Sequence, residues 1–197
     1  MKVNVKTGAQ TPFFIACSYR YPDTIRVLLH SNADPNVLHS APGNSEPTSE
    51  RGHTALHAWT KQQRPWLQGY SRLGELDPEA TTECFKLMMK AGANIHQVDI
   101  NGDTTIHHAI DSVAMRLLLD AGANPNAIND NGETVLHLCQ DQAVVQLLLE
   151  EGKVDTSLKT HRDGHTPLIS LLSNDIFPVQ AAENALRLLE FGADASG

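Results

Sequence analysis

Five times along its 197 residues the chain repeats one phrase: a Gly-x-Thr-x-Leu-His-like tag, an apolar run of helical length, and a Gly-Ala-Asp/Asn close. The clearest copies are Asn101-Gly102-Asp103-Thr104-Thr105-Ile106-His107-His108-Ala109 and Asn131-Gly132-Glu133-Thr134-Val135-Leu136-His137-Leu138-Cys139. Gly102 and Gly132 stand 30 residues apart, as do Thr104 and Thr134, His107 and His137, and Gly122 and Gly152. A phrase held in phase over such distances is the mark of a solenoid and constrains the fold before any local motif does. In a solenoid each unit contacts only its neighbours and the core runs as a ribbon. That architecture predicts work through an extended surface, not a catalytic pocket.

Aligned on the tag, the first unit has Thr11-Pro12-Phe13-Phe14-Ile15-Ala16, then Ile25–Leu29, then Asn32-Ala33-Asp34-Pro35-Asn36. The second has Gly52-His53-Thr54-Ala55-Leu56-His57-Ala58, resumes at Cys84–Met89 and closes on Gly92-Ala93-Asn94. The third and fourth continue through Met115–Leu119 to Gly122-Ala123-Asn124-Pro125-Asn126, and through Val144–Leu149 to Gly152. The fifth has Gly164-His165-Thr166-Pro167-Leu168, then Ala185–Leu189, then Gly192-Ala193-Asp194. Thr suits a helix N-cap, Pro the first helical turn, and the closing Gly a left-handed residue that ends the second helix. The Asp/Asn-rich stretch before each tag, such as Asn129-Asp130-Asn131-Gly132, is turn chemistry at a protruding tip.

These units resemble the ankyrin repeat, a β-turn followed by two antiparallel helices and marked by Thr-Pro-Leu-His-x-Ala. The resemblance spans nearly the whole chain, although Phe14 and Ile169 stand where the family has His. It implies an all-α solenoid of helix–turn–helix units joined by β-hairpin-like loops, in a single domain over 1–197. The repeats fall at about 5–36, 49–98, 99–128, 129–158 and 161–197, with insertions at about 37–48 and 61–77.

The breaks in period carry their own message. Asn36 to Gly52 takes 16 residues where Gly122 to Gly132 takes 10, and the Pro/Ser/Gly-rich excess reads as a long hairpin loop. The second unit runs 32 residues from Thr60 to Gly92, against 12 from Ile110 to Gly122. That insertion holds Trp66, Tyr70 and Leu73 and follows Trp59, so its aromatics either pin it to its own solenoid or anchor a partner. Asp77-Pro78-Glu79 then restarts a helix. In the third and fourth units only Asp111-Ser112 and Asp141-Gln142 separate the helices, which predicts a shortened pair. Val3-Asn4 matches the Val-Asn that follows Gly-Ala-Asp in the family, and the last unit keeps Leu186, Leu188, Leu189 and Phe191; both features suggest a segment of a longer protein.

Composition narrows the partner. A net charge of −8 argues against nucleic acid, because phosphate neutralisation needs clustered Lys and Arg. No apolar stretch approaches the length of a membrane span, and no apolar segment behind Met1-Lys2 forms a signal peptide. Cys17, Cys84 and Cys139, odd in number and widely spaced, read as buried reduced thiols of an intracellular protein. His57, His107 and His137 share one tag position, which the resemblance makes a structural hydrogen-bonding residue and not a metal ligand. His161 and His165 have ligand-like spacing but no completing Cys or carboxylate pair, and no catalytic motif is present. We therefore expect no enzyme activity, cofactor or metal.

The resemblance places binding in a concave groove lined by the hairpin tips and first-helix ends. Here these are Tyr19 beside Ser18; Arg51 and His53; Ile100, Asn101 and Asp103; Asp111; Asp130, Asn131 and Glu133; Asp141; and Arg162, Asp163 and His165, with Trp66 and Tyr70 from the insertion. The acidic centre of that set favours a basic protein or peptide, with charge setting rate and specificity. The resulting expectation is a non-enzymatic scaffold or adaptor. Two alternatives stay open: the recognition domain of a larger enzyme, and a chaperone shielding a basic client. Oligomeric state is left open.

Overall fold

The computed structural model describes residues 4, 11–39, 52–61, 77–151, 153–173 and 178–194. Arg51, Trp66, Tyr70 and most of both insertions lie outside the described residues. The chain divides into two compact units, 1–100 and 101–197. Every element among the described residues is helical, in short pairs that stack as repeats.

Unit one contains α1 (Pro12–Ser18), α2 (Pro22–His30), α3 (Ala55–Lys61) and α4 (Pro78–Lys90). α1 packs on α3 and α2 on α4, so each helix of a pair meets its counterpart in the next pair. The helices begin where capping chemistry dictates. Thr11 Oγ1 accepts from the Phe14 N–H at 3.1 Å, and Asp77 Oδ1 from the Glu79 N–H at 2.9 Å, each followed by a proline at the first helical position. Phe13, Cys17, Ile25, Leu56, Trp59, Cys84 and Met88 form its core.

Trp59 belongs to that core and not to an exposed anchor. Its ring lies 5.2 Å from that of Phe85, and the Arg20 guanidinium sits 5.1 Å over its face. Arg20 is itself buried. Its Nε and Nη2 donate to the Trp59 carbonyl at 3.2 and 3.0 Å, and its Nη1 donates to Thr81 Oγ1 at 3.0 Å. One side chain thus ties the end of α1 to both α3 and α4.

Unit two contains a single 3-10 turn, Thr105–His108, then α5 (Ser112–Asp120), α6 (Val135–Leu138), α7 (Gln142–Glu150), α8 (Pro167–Leu172) and α9 (Pro178–Glu190). The short inter-helix spacing of the third and fourth repeats has the predicted effect: their first helices shrink to about one turn. Asp111 and Asp141 then cap the second helices, their Oδ1 atoms accepting from Ala114 N at 2.7 Å and Val144 N at 3.0 Å. α6 packs on α8, α5 on α7 and α7 on α9, around Met115, Leu118, Leu136, Val144, Leu148 and Leu188.

α2, α4, α5 and α9 end alike. The N–H of Ala33, Ala93, Ala123 and Ala193 reaches back to the carbonyls of Leu28, Met88, Leu118 and Leu188 at 2.9 to 3.0 Å, a Schellman closure. Just past two of these closures, those at Ala33 and Ala123, an asparagine clips its loop to that of the following repeat. Asn36 accepts from Asn94 N at 2.8 Å and donates to the Gly92 carbonyl at 2.9 Å; Asn126 does the same with Asp155 N and the Lys153 carbonyl. Asn4 makes the equivalent pair to Asp34 N and the Asn32 carbonyl.

Candidate interaction surface

The tag histidines are structural, and the bonding assigns their tautomer. Thr104 and Thr134 start their turns with a reciprocal capping box in which His fills the place usually held by Glu or Gln. In both, Nδ1 accepts from the Thr backbone N–H at 3.0 Å, so Nε2 carries the proton. That Nε2–H donates to the hairpin of the following repeat, His107 to the Glu133 carbonyl and His137 to the His165 carbonyl, each at 3.2 Å. His57 accepts from Thr54 N in the same way at 3.2 Å. Burial, the largest influence, holds the His137 pKa below 6.5, outweighing the upward pull of the His165 and Leu158 carbonyls and the Glu133 carboxylate. Where Phe14 replaces the histidine, its ring stacks on His39 at 4.7 Å.

The thiols are equally inward. Cys17, Cys84 and Cys139 are free and buried. Burial pushes Cys84 up to about 12 against the opposing pull of Arg20, pushes Cys139 up to about 12, and raises Cys17 well above its ordinary value with Cys84 adding to the effect. None is poised as a nucleophile.

The hairpins sort the residues expected at the surface into two groups. The position after the tag glycine is an inter-repeat contact here, which takes His53 and Asp103 out of the open surface. His53 is buried against Asp99, Nε2 to Oδ2 at 3.1 Å, and stacks on His57. Asp103 is buried as well, its Oδ1 accepting from Asn129 Nδ2 at 2.8 Å. Glu133 is half-buried and meets the same amide through Oε2 at 2.9 Å, while Asn129 Oδ1 receives the Asn131 and Glu133 N–H groups. His165 is half-buried, and its backbone N–H donates to Thr160 Oγ1. Asp111 is half-buried at its cap. Of the five acids expected at the centre, only Asp130 and Asp141 are fully open.

Tyr19, Ile100, Asn101, Asn131, Arg162 and Asp163 are exposed, Tyr19 stacking on Tyr21 at 5.8 Å. Sequence reasoning missed two kinds of residue. Asp99 and Asn129, both three positions before a tag glycine, are hairpin hubs, and that shared position was the available signal. Ile110, Ile128 and Leu138 are exposed aliphatics among the acids of the third and fourth repeats, with no pattern beyond burial to reveal them.

A stack of short helix pairs, tied through hairpin tips and capped by Thr–His boxes, defines a helical-repeat solenoid whose open surface is loops and helix ends. A family model described as "Ankyrin repeats (3 copies)" matches residues 79–160, and one described as "Ankyrin repeat" matches 10–40. The chain therefore carries ankyrin-repeat domains over both stretches. No curated protein matches the chain. Ankyrin repeats are typically non-catalytic modules that mediate protein–protein contacts, and the described residues have that all-helical character. Among the described residues no helix is long and apolar enough to cross a membrane.

Proposed function

We propose that the chain is a scaffold or adaptor that binds a protein segment carrying both basic and aliphatic side chains. The surface it offers is made by the first-helix ends and hairpin tips of the third to fifth repeats. The observation that carries this reading is the mixture there of open acids with open aliphatics: Asp130, Asp141 and Asp163 beside Ile110, Ile128 and Leu138. Single exposed aliphatics are ordinary on a protein surface, so their weight here comes from recurrence beside acids in successive repeats. The aliphatics supply contact area and the acids supply steering and selection against acidic competitors. Three buried thiols fit a role inside the cell, where they stay reduced.

The test is capture from native extract followed by calorimetry with the captured partner, using the wild type and a doubly reversed Asp130→Lys, Asp141→Lys chain. Affinity is expected to fall in the variant, and the wild-type affinity to fall from low to high salt. Equal, salt-insensitive binding by both chains would refute the basic-partner reading.

A further inference from the structure

In a repeat array the joints between successive second helices can be compared residue by residue. In unit two, Arg116 of α5 crosses its joint to an ion pair with Glu151, the C-cap of α7. The corresponding positions in unit one hold Arg26 and Ala91, the C-cap of α4. Arg26 is engaged elsewhere, by Asp23 at 2.7 Å on its own helix and by Glu83 of α4. The joint between α2 and α4 stays open as a cavity of about 510 Å³, lined by Leu29 and Leu87 together with Arg26, His30, Lys90 and Ala91. No acid is among the residues that line it.

Helix ends alone do not account for these cations. The last residue of the second helix is, in chain order, His30, Lys90, Asp120, Glu150 and Glu190. A cation there complements the helix dipole, yet three of the five repeats carry an acid instead. The carbonyls of Val27, Leu28 and Leu29, and of Leu87, Met88 and Met89, already accept N–H groups of the following turn, so little uncompensated negative charge is left at either helix end. Arg26 is neutralised by its two acids, and His30 donates through Nδ1 to the Arg26 carbonyl at 2.7 Å. Lys90 makes no ion pair among the described residues. The cavity therefore offers one uncompensated cation beside two leucines.

We propose that this cavity is a site for a small organic acid, a single carboxylate on an aliphatic body, with the carboxylate meeting Lys90 and the body lying on Leu29 and Leu87. Charge complementarity selects the anion, and one unpaired cation suits a monocarboxylate better than a phosphate dianion. The volume falls in the range of about 300–1,000 Å³ that small-molecule sites occupy. The site draws on the second helices of the first two repeats, so it stands or falls independently of the protein-binding surface proposed for the third to fifth.

Titration of the full chain with octanoate, octylammonium and inorganic phosphate, followed by amide chemical shifts of the nitrogen-15-labelled protein, tests this. Octanoate is expected to move the Leu29, Leu87 and Ala91 amides together and to saturation. Octylammonium has the body with the opposite charge and phosphate the charge without the body, and both leave those amides in place. Lys90→Glu and Ala91→Glu each introduce the residue that α7 carries at the same position, Glu150 and Glu151, so the helix tolerates them, and an unchanged circular dichroism spectrum establishes that they fold. Each weakens octanoate by about tenfold or more. Octylammonium binding as tightly as octanoate overturns the proposal, as does an octanoate affinity equal in wild type and Lys90→Glu. So do octanoate shifts spread over exposed aliphatics such as Val98 and Ile110, and so does the absence of any saturable shift.

Discussion

Two glycines in unit two separate a conformational cost from a packing cost. Gly122 and Gly132 have φ of +91° and +77°, a region where a side chain costs about 1–2 kcal/mol. Alanine also stiffens the unfolded chain, which returns about 0.4–1 kcal/mol at either position. The surroundings then decide. A Cβ at Gly122 meets nothing within 4 Å, whereas one at Gly132 meets the His161 backbone nitrogen at 2.8 Å and its Cδ2 at 2.6 Å. Restoring ordinary contact at 3.4 Å requires the fifth hairpin to retreat by about 0.6 Å. That retreat stretches the 2.7 Å bond from His161 N–H to the Asn131 carbonyl and the 3.2 Å contact of its Nδ1 with the Asp130 carbonyl. Crowding of this kind costs about 1–3 kcal/mol, and a weakened hydrogen bond about 0.5–1.5 kcal/mol. Gly122→Ala is therefore expected to lose about 1 kcal/mol and Gly132→Ala about 2–4 kcal/mol. Urea unfolding followed by far-ultraviolet circular dichroism reads both, with unchanged m-values confirming a common transition. Equal losses, or the larger loss at Gly122, would refute the idea that the tag glycine is required by the approach of the next hairpin.

The remaining predictions concern protons and thiols. The His137 pKa is depressed in the folded chain, so below about pH 6.5 the unfolded chain binds more protons; this residue's contribution is complete above that pH and is lost as the pH falls through the folded value. His137→Gln keeps an acceptor and a donor without the titration, and its urea midpoint should depend less on pH than that of the wild type between about pH 8 and about pH 5; an unchanged dependence would count against burial as the cause. Cys17, Cys84 and Cys139, held protonated by burial, should react with a thiol reagent only slowly in the native chain and fully after denaturation. Rapid native labelling at any of the three would contradict their placement in the core.

How much of this was legible depends on whether the physics was local. Asp77-Pro78-Glu79 announced the start of α4 because capping involves only neighbouring residues, and the cap is there. The short linkers at Asp111-Ser112 and Asp141-Gln142 announced shortened helix pairs for the same reason. Arg20 gave no comparable sign. Its burial depends on the Trp59 carbonyl and Thr81, 39 and 61 residues away, and a sequence offers no view of acceptors brought together by stacking.

The interaction surface divides along the same line. The tag register located the tips, because each repeat carries the same turn chemistry at the same phase. It could not tell which tip side chains are engaged by the next hairpin: His53 and Asp103 look like Asn131 and Asp130 in a list of polar turn residues. Asp99 and Asn129 stand opposite the first two and satisfy them, a pairing that exists only once the repeats are stacked. The sequence alone determined the repeating unit, its capping and its turn positions, since these are set within a few residues of one another. Stacking decided which polar groups point inward and which apolar positions stay open, because burial belongs to pairs of repeats and not to either one alone.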